Sequence, residues 1–183
     1  QAAGLLGRIG VAALPAVRPY LSAKRAEVRA AALAALVGIE EPPPEGDALI
    51  EAGYDDEALP VRLAAASSLA MRGGDLTRAL PVAREGLESP DDVDRRVALG
   101  ILWWAGKSAP EAAPWLEPLL DTEDDTNRVL AAAALKRMDR ETERSRAVLR
   151  EVLENPRHPR HGLAASLEHK SRADEAEKAD EGE

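Results

Sequence analysis

Cysteine is missing from the 183-residue chain, so disulfides, thiolate metal sites and cysteine nucleophiles are excluded together. Phenylalanine is missing too, and aromatic residues make up 3% of the sequence. Alanine and leucine supply most of the apolar content from which a core can be built. No apolar run approaches the roughly 18 residues that a membrane-spanning helix needs, and no basic region followed by an apolar stretch marks a signal peptide. Positive charge is in deficit, 24 Lys and Arg against 33 Asp and Glu for a net charge of −9, which sets a repulsive field against nucleic acid. β-branched residues never form a run, which argues against a sheet. A glycine-rich phosphate loop, a G-x-S-x-G motif and a serine with a histidine base are all lacking, so the sequence gives no positive support for catalysis and calls for no cofactor.

What the chain does have is one stretch that recurs. An acidic turn leads to an arginine that enters an alanine-rich helix, and that helix closes on a large apolar residue seven positions later. The copies are RAAALAAL from Arg29, RLAAASSL from Arg62, RVALGILW from Arg96, RVLAAAAL from Arg128 and RHGLAASL from Arg160. Read this way the arginines lie 33, 34, 32 and 32 residues apart, and Leu36, Leu69, Trp103, Leu135 and Leu167 close the copies at the same spacing. A period near 33 marks a repeat array.

A second set of columns supports the period independently. Val17, Ile50, Ala83 and Leu116 align in the shorter helices that precede the recurring one, as do Leu21, Tyr54, Leu87 and Leu120. Within the first long helix Val28, Ala32, Ala35, Leu36 and Ile39 fall on one stripe of helical spacing, the face expected to pack. The reading in chain order is a helix end over Ala2 to Ile9, a first full unit from Leu14, a stiff proline loop from Glu40 to Gly46, and four further units. Because the chain opens at Gln1 inside what reads as the closing half of a helix, it is expected to be N-terminally truncated.

The pattern D-x(n)-V-R-x-x-A-A-x-x-L, following a helix with an L-P-x-V or A-P-x-L start, resembles the HEAT-like repeat family, in particular its short, bacterial, phycobilisome-lyase type. Val28, Arg29, Ala32 and Leu36 carry it in one copy, and Val61, Arg62, Ala65 and Leu69 in the next. The resemblance implies an all-α, right-handed α-solenoid of about five two-helix repeats, armadillo-like in style, over residues 1–167, with residues 168–183 a charged tail expected to fray. It implies a non-catalytic scaffold or protein–protein interaction module. A minority of the family are enzymes, among them chromophore lyases, an iron-dependent peptide hydroxylase and alkyl-base DNA glycosylases. No histidine here is followed by glutamate, as the hydroxylase's paired motifs would need, and the acidic balance does not suit the glycosylases' basic groove. The middle repeats also resemble the helical modules on the C-terminal side of some bacterial sulfatases, so two alternatives stand beside the scaffold: a C-terminal module of a larger bacterial enzyme, and a lyase-like small-molecule enzyme.

Two sets of side chains are candidates for function. The aligned Arg29, Arg62, Arg96, Arg128 and Arg160 form either a stripe for an acidic partner or an internal ladder onto the neighbouring acidic turns. The ladder is the favoured reading, because a repeat array is held by nearest-neighbour interfaces. The third copy departs most from the pattern, and Trp104, Arg95 and Ile101 are the residues expected to contact a partner. Trp103 and Trp115 read as packed. His158 and His161 stand three apart, but no third ligand is evident and no metal site is expected. Ala34, Ser67, Ile101, Ala133 and Ala165 follow the arginines by about one turn. If they face the groove side, that groove is shallow and broad, suited to a protein or peptide, or to another domain of the same polypeptide.

Overall fold

The computed structural model describes residues 14–37 and 44–180. The helix end expected over Ala2 to Ile9, the stop at Gly10, Ile39 of the packing stripe and the first part of the proline loop lie outside these residues.

Among the described residues the secondary structure is helical throughout. The first repeat has α1 (Leu14–Val17), continued by a 3-10 turn (Arg18–Ser22), and α2 (Ala26–Val37). The second has α3 (Pro44–Ala52) and α4 (Leu59–Met71), and the third has α5 (Ala79–Leu87) and α6 (Asp92–Ala105). The fourth has α7 (Ala113–Leu116), flanked by 3-10 turns at Pro110–Ala112 and Glu117–Asp121, and α8 (Asp125–Arg137). The fifth has α9 (Glu143–Leu153) and α10 (His161–Asp180). The loop expected to reach Gly46 ends earlier, since Pro44 already begins α3. A proline's missing N–H costs nothing in the first turn of a helix.

The ends of the long helices follow from sequence. Pro60 sits in the first turn of α4, the Asp124 carboxylate accepts from Thr126 and Asn127 N–H at the start of α8, and Thr142 and Ser145 form a reciprocal capping box on α9. At their C-termini the left-handed residues Gly73, Gly106 and Asp139 recur 33 apart. Gly74 N–H donates to Leu69 C=O and Arg140 N–H to Leu135 C=O, which closes off the last carbonyls of α4 and α8 in the same way.

Packing divides the chain into two units, residues 1–105 and 106–183. In the first, α4 lies between α2 and α6, and α5 packs on both α4 and α6. Its core is Leu33, Leu36, Leu63, Leu99, Ile101 and Leu102, all essentially inaccessible. Two glycines of the short-helix layer allow this closeness. A Cβ at Gly53 would meet Leu33, and one at Gly86 would meet Leu63 and Ala98 at 2.8 and 2.9 Å. In the second unit α8 packs on α9, on α10 and on the Glu117–Asp121 turn, around Leu116, Val129, Leu135 and Val152.

Burial also sets the phase of the repeat. The columns Ala32, Ala65, Ala98, Ala131 and Ala164, and Val17, Ile50, Ala83, Leu116 and Leu149, are buried at every copy, and both run at 33 residues throughout. The equivalent of Leu36, Leu69 and Leu135 is therefore Leu102 rather than Trp103. Helix pairs stacked at this fixed interval make the fold all-α and of the α-solenoid class.

The charged C-terminal stretch differs from expectation. The last helix continues through Asp180. Lys136 Nζ bonds both oxygens of Glu168 at 2.6 Å, and Arg137 pairs with Asp174. Fold order thus extends well past Leu167, because α8 supplies cations to a helix that has few large apolar residues of its own.

Candidate functional site

The uniform period moves the arginine column. Spaced at 33, it reads Arg29, Arg62, Arg95, Arg128 and His161. Arg29 makes a two-point contact with Asp56 in the next repeat's acidic turn, both bonds at 2.7 Å, while its Nη1 donates back to Ala23 and Lys24 C=O. Arg62 repeats that backward reach onto Asp56 and Glu57 C=O at 2.9 Å and pairs forward with Glu85 of α5. Arg95 donates to Ser89 C=O at 2.5 Å and pairs with Asp92. Arg128 bonds Asp125 at 2.7 Å and approaches Glu151 of α9 at 3.8 Å.

Two residues placed in this column by the sequence do not belong to it. Arg96 makes no ion pair or side-chain hydrogen bond among the described residues; of the tandem Arg95-Arg96 it is the first that reaches back to the Ser89 carbonyl. Arg160 is exposed in the turn before α10, and its backbone N–H donates to His158 Nδ1. The column position itself is held by His161, whose Nδ1 stands 3.1 Å from Val152 C=O.

Electrostatics follow the geometry. The hydrogen bonds from Arg29 hold the Asp56 carboxyl below the usual carboxylate range, helped by Ala58 N–H and against its partial burial. The same bond raises Arg29 above its ordinary value. Tyr54, in the turn beside Arg78, is pushed up to about 12 chiefly by burial, and its ring lies 4.6 Å from the Arg78 guanidinium.

The other side of the long helices is open. In the first unit α2, α4 and α6 line a groove of about 700 Å³. Its surface follows the columns Glu27/Pro60/Val93, Ala31/Ala64/Val97 and Ala34/Ser67, with Met71 at one edge and Asp91 and Asp94 at the other. The floor is hollow because the central side chains are small while Val93 and Met71 stand up from it, 58% and 42% exposed. At Gly100, the next member of the Ala34/Ser67 column, a Cβ would meet nothing within 4 Å. Asp94 occupies a position that is Val61 in α4. It is buried and accepts from the Ser89 hydroxyl at 2.9 Å.

Of the residues expected to contact a partner, Ile101 does not face the groove. It is fully buried, and the open position is its neighbour Gly100. Arg95 is half-buried and engaged with Ser89 and Asp92. Trp104 is half-buried, stands edge-on to Trp103 with ring centroids 4.9 Å apart, and occupies the column of Met71 at the groove's edge. Sequence reasoning missed Val93 and Met71; the signal was an apolar residue where the same column carries a charged one in another copy, Glu27 for Val93 and Arg137 for Met71.

Among the described residues no three His, Asp or Glu side chains gather as a metal site, and no helix is long and apolar enough to cross a membrane. No curated protein matches the chain in sequence. Residues 80–168, from α5 into α10, match the family of HEAT repeats. That match, in keeping with the 33-residue interval of the helix pairs, makes residues 80–168 a run of HEAT-like repeats.

Proposed function

We propose that the chain is a non-catalytic protein-interaction module that holds its partner in the groove of α2, α4 and α6. HEAT repeats commonly mediate protein–protein interaction, and the family is in the main non-catalytic. The observation that carries the reading is the apolar floor itself. Val93 and Met71 project beside a run of small side chains, and a contiguous apolar surface left open on a soluble fold is characteristic of binding sites. The arginine column is a structural tie in this reading, since its guanidinium groups are spent on neighbouring turns.

A photo-crosslinking residue placed at Ser67, compared with one at Arg84 on the opposite layer, tests the reading in an extract of the source cells. Crosslinks to one protein concentrated at Ser67 are expected. Equal yields at the two positions, or none at Ser67, would end it.

A further inference from the structure

The groove's chemistry narrows what it accepts, and the following rests on the docking reading above. Glu27 and Asp91 lie exposed along its N-terminal flank, and the buried Asp94 adds a third carboxylate behind them. No lysine or arginine lies among the described residues lining it. The nearest ion partner of Glu27 is Arg25 at 3.5 Å, with both side chains largely exposed, so this pair is weak and exchangeable. An occupant therefore meets an apolar floor flanked on one side by negative charge.

The floor also selects backbone conformation. It is built from helix faces, whose N–H and C=O groups are already bonded within each helix. An extended peptide laid on it would find no ladder partners and would press its own polar backbone against alanine and valine side chains. A helix brings its backbone already satisfied. Three neighbouring helices at the usual 8–10 Å separation span about 20 Å, the length of about 13 helical residues. The wells at Ala34, Ser67 and Gly100 are small enough for a helix to seat closely.

We infer that the occupant is an amphipathic helix of a partner protein, about four turns long, with leucine-like side chains on one face and lysine or arginine along the flank that meets Glu27 and Asp91. A second copy of this chain, carrying the same net charge of −9, would bring like charge to the rim.

The test uses two fluorescent, helix-stabilised peptides of about 14 residues, identical on the leucine face, one flanked by lysine and its twin by glutamate, with binding read by anisotropy. The lysine peptide is expected to bind about tenfold or more tighter than its twin at low salt and to weaken as salt rises. Ser67→Gln, which fills the well with a good helix former, should lower its affinity about tenfold while the circular dichroism stays unchanged. Glu27→Lys should bring the twins to about equal affinity. Indifference to Ser67→Gln would overturn the inference, because the peptide would then be held elsewhere on the acidic surface. Self-association of the protein abolished by Ser67→Gln would overturn it in favour of a second copy. Equal binding of the twins, lost in Ser67→Gln, would end the charge inference while leaving the docking reading standing; absence of crosslinks at Ser67 would end that reading itself.

Discussion

The two units place different chemistry at the same repeat positions. Met71 and Trp104 of the first unit are equivalent by register to Arg137 and Lys170 of the second. In the first unit Met71 and Trp104 make this column apolar, and Met71 borders the open groove. In the second, Arg137 and Lys170 both engage Asp174, and Lys136 holds Glu168. A column that is free to vary in an array can therefore either leave a helix face available or tie it to the next helix. Asp174 shows the cost of the second choice: burial raises its pKa, and the bonds from Lys170 and Arg137 outweigh that and bring it below the ordinary value.

The largest effects should come from the cores, where the two units are alike. Leu63→Ala and Leu135→Ala each remove a fully buried side chain and should cost about 2–5 kcal/mol in chemical denaturation. A much smaller loss in either would show that its layer collapses around the cavity. The contrast between the units appears in the next pair. Arg137→Met leaves Asp174 with one cation fewer at a side chain only 15% exposed and should cost about 1–3 kcal/mol. The reverse change, Met71→Arg, alters a half-open edge and should stay within about 0.5 kcal/mol. Similar costs for both would erase the distinction.

The phase of the column supplies a finer test. Arg95→Ala loses a charged bond to the Ser89 carbonyl and should cost about 1 kcal/mol, whereas Arg96→Ala should change stability by less than about 0.5 kcal/mol. The opposite order would restore the unequal spacing. The smallest effect concerns pH. Because the folded Asp56 carboxyl titrates below its unfolded value, its contribution is complete above about pH 4 and is lost as pH falls through the folded value. Acid unfolding followed by circular dichroism should lose part of its steepness in Asp56→Asn, and an unchanged profile would show that the Arg29 contact does not discriminate between the two states.

Much of the fold was legible because its signal is local and repeated. Small alanines and large leucines fall where adjacent helices touch, and three or more copies of each column outweigh any one irregular residue. The phase was harder. Two arginines stand side by side in the third copy and Arg160 precedes His161 in the fifth, so residue type alone selects a neighbour of the true column, and only the bonds each side chain makes and the phase of the buried columns distinguish them. Ile101 was misplaced by the same one-residue slip, from the open column of Gly100 into the core. Order in the charged end of α10 was hidden because the cations that hold it are 32 and 37 residues away, in α8. The groove was legible as an expectation of small side chains at Ala34 and Ser67. Its apolar edge was not, since Val93 and Met71 matter through what stands beside them on other helices.

A repeat length without remainder makes the chain divisible. Excising the 33 residues from Ala30 to Arg62 would join Arg29 directly to Leu63, and Arg29 would inherit the place opposite Glu85 that Arg62 now holds. Every helix downstream would keep its facing. A whole module can thus be removed in register, with Arg29 exchanging Asp56 for Glu85 as its partner.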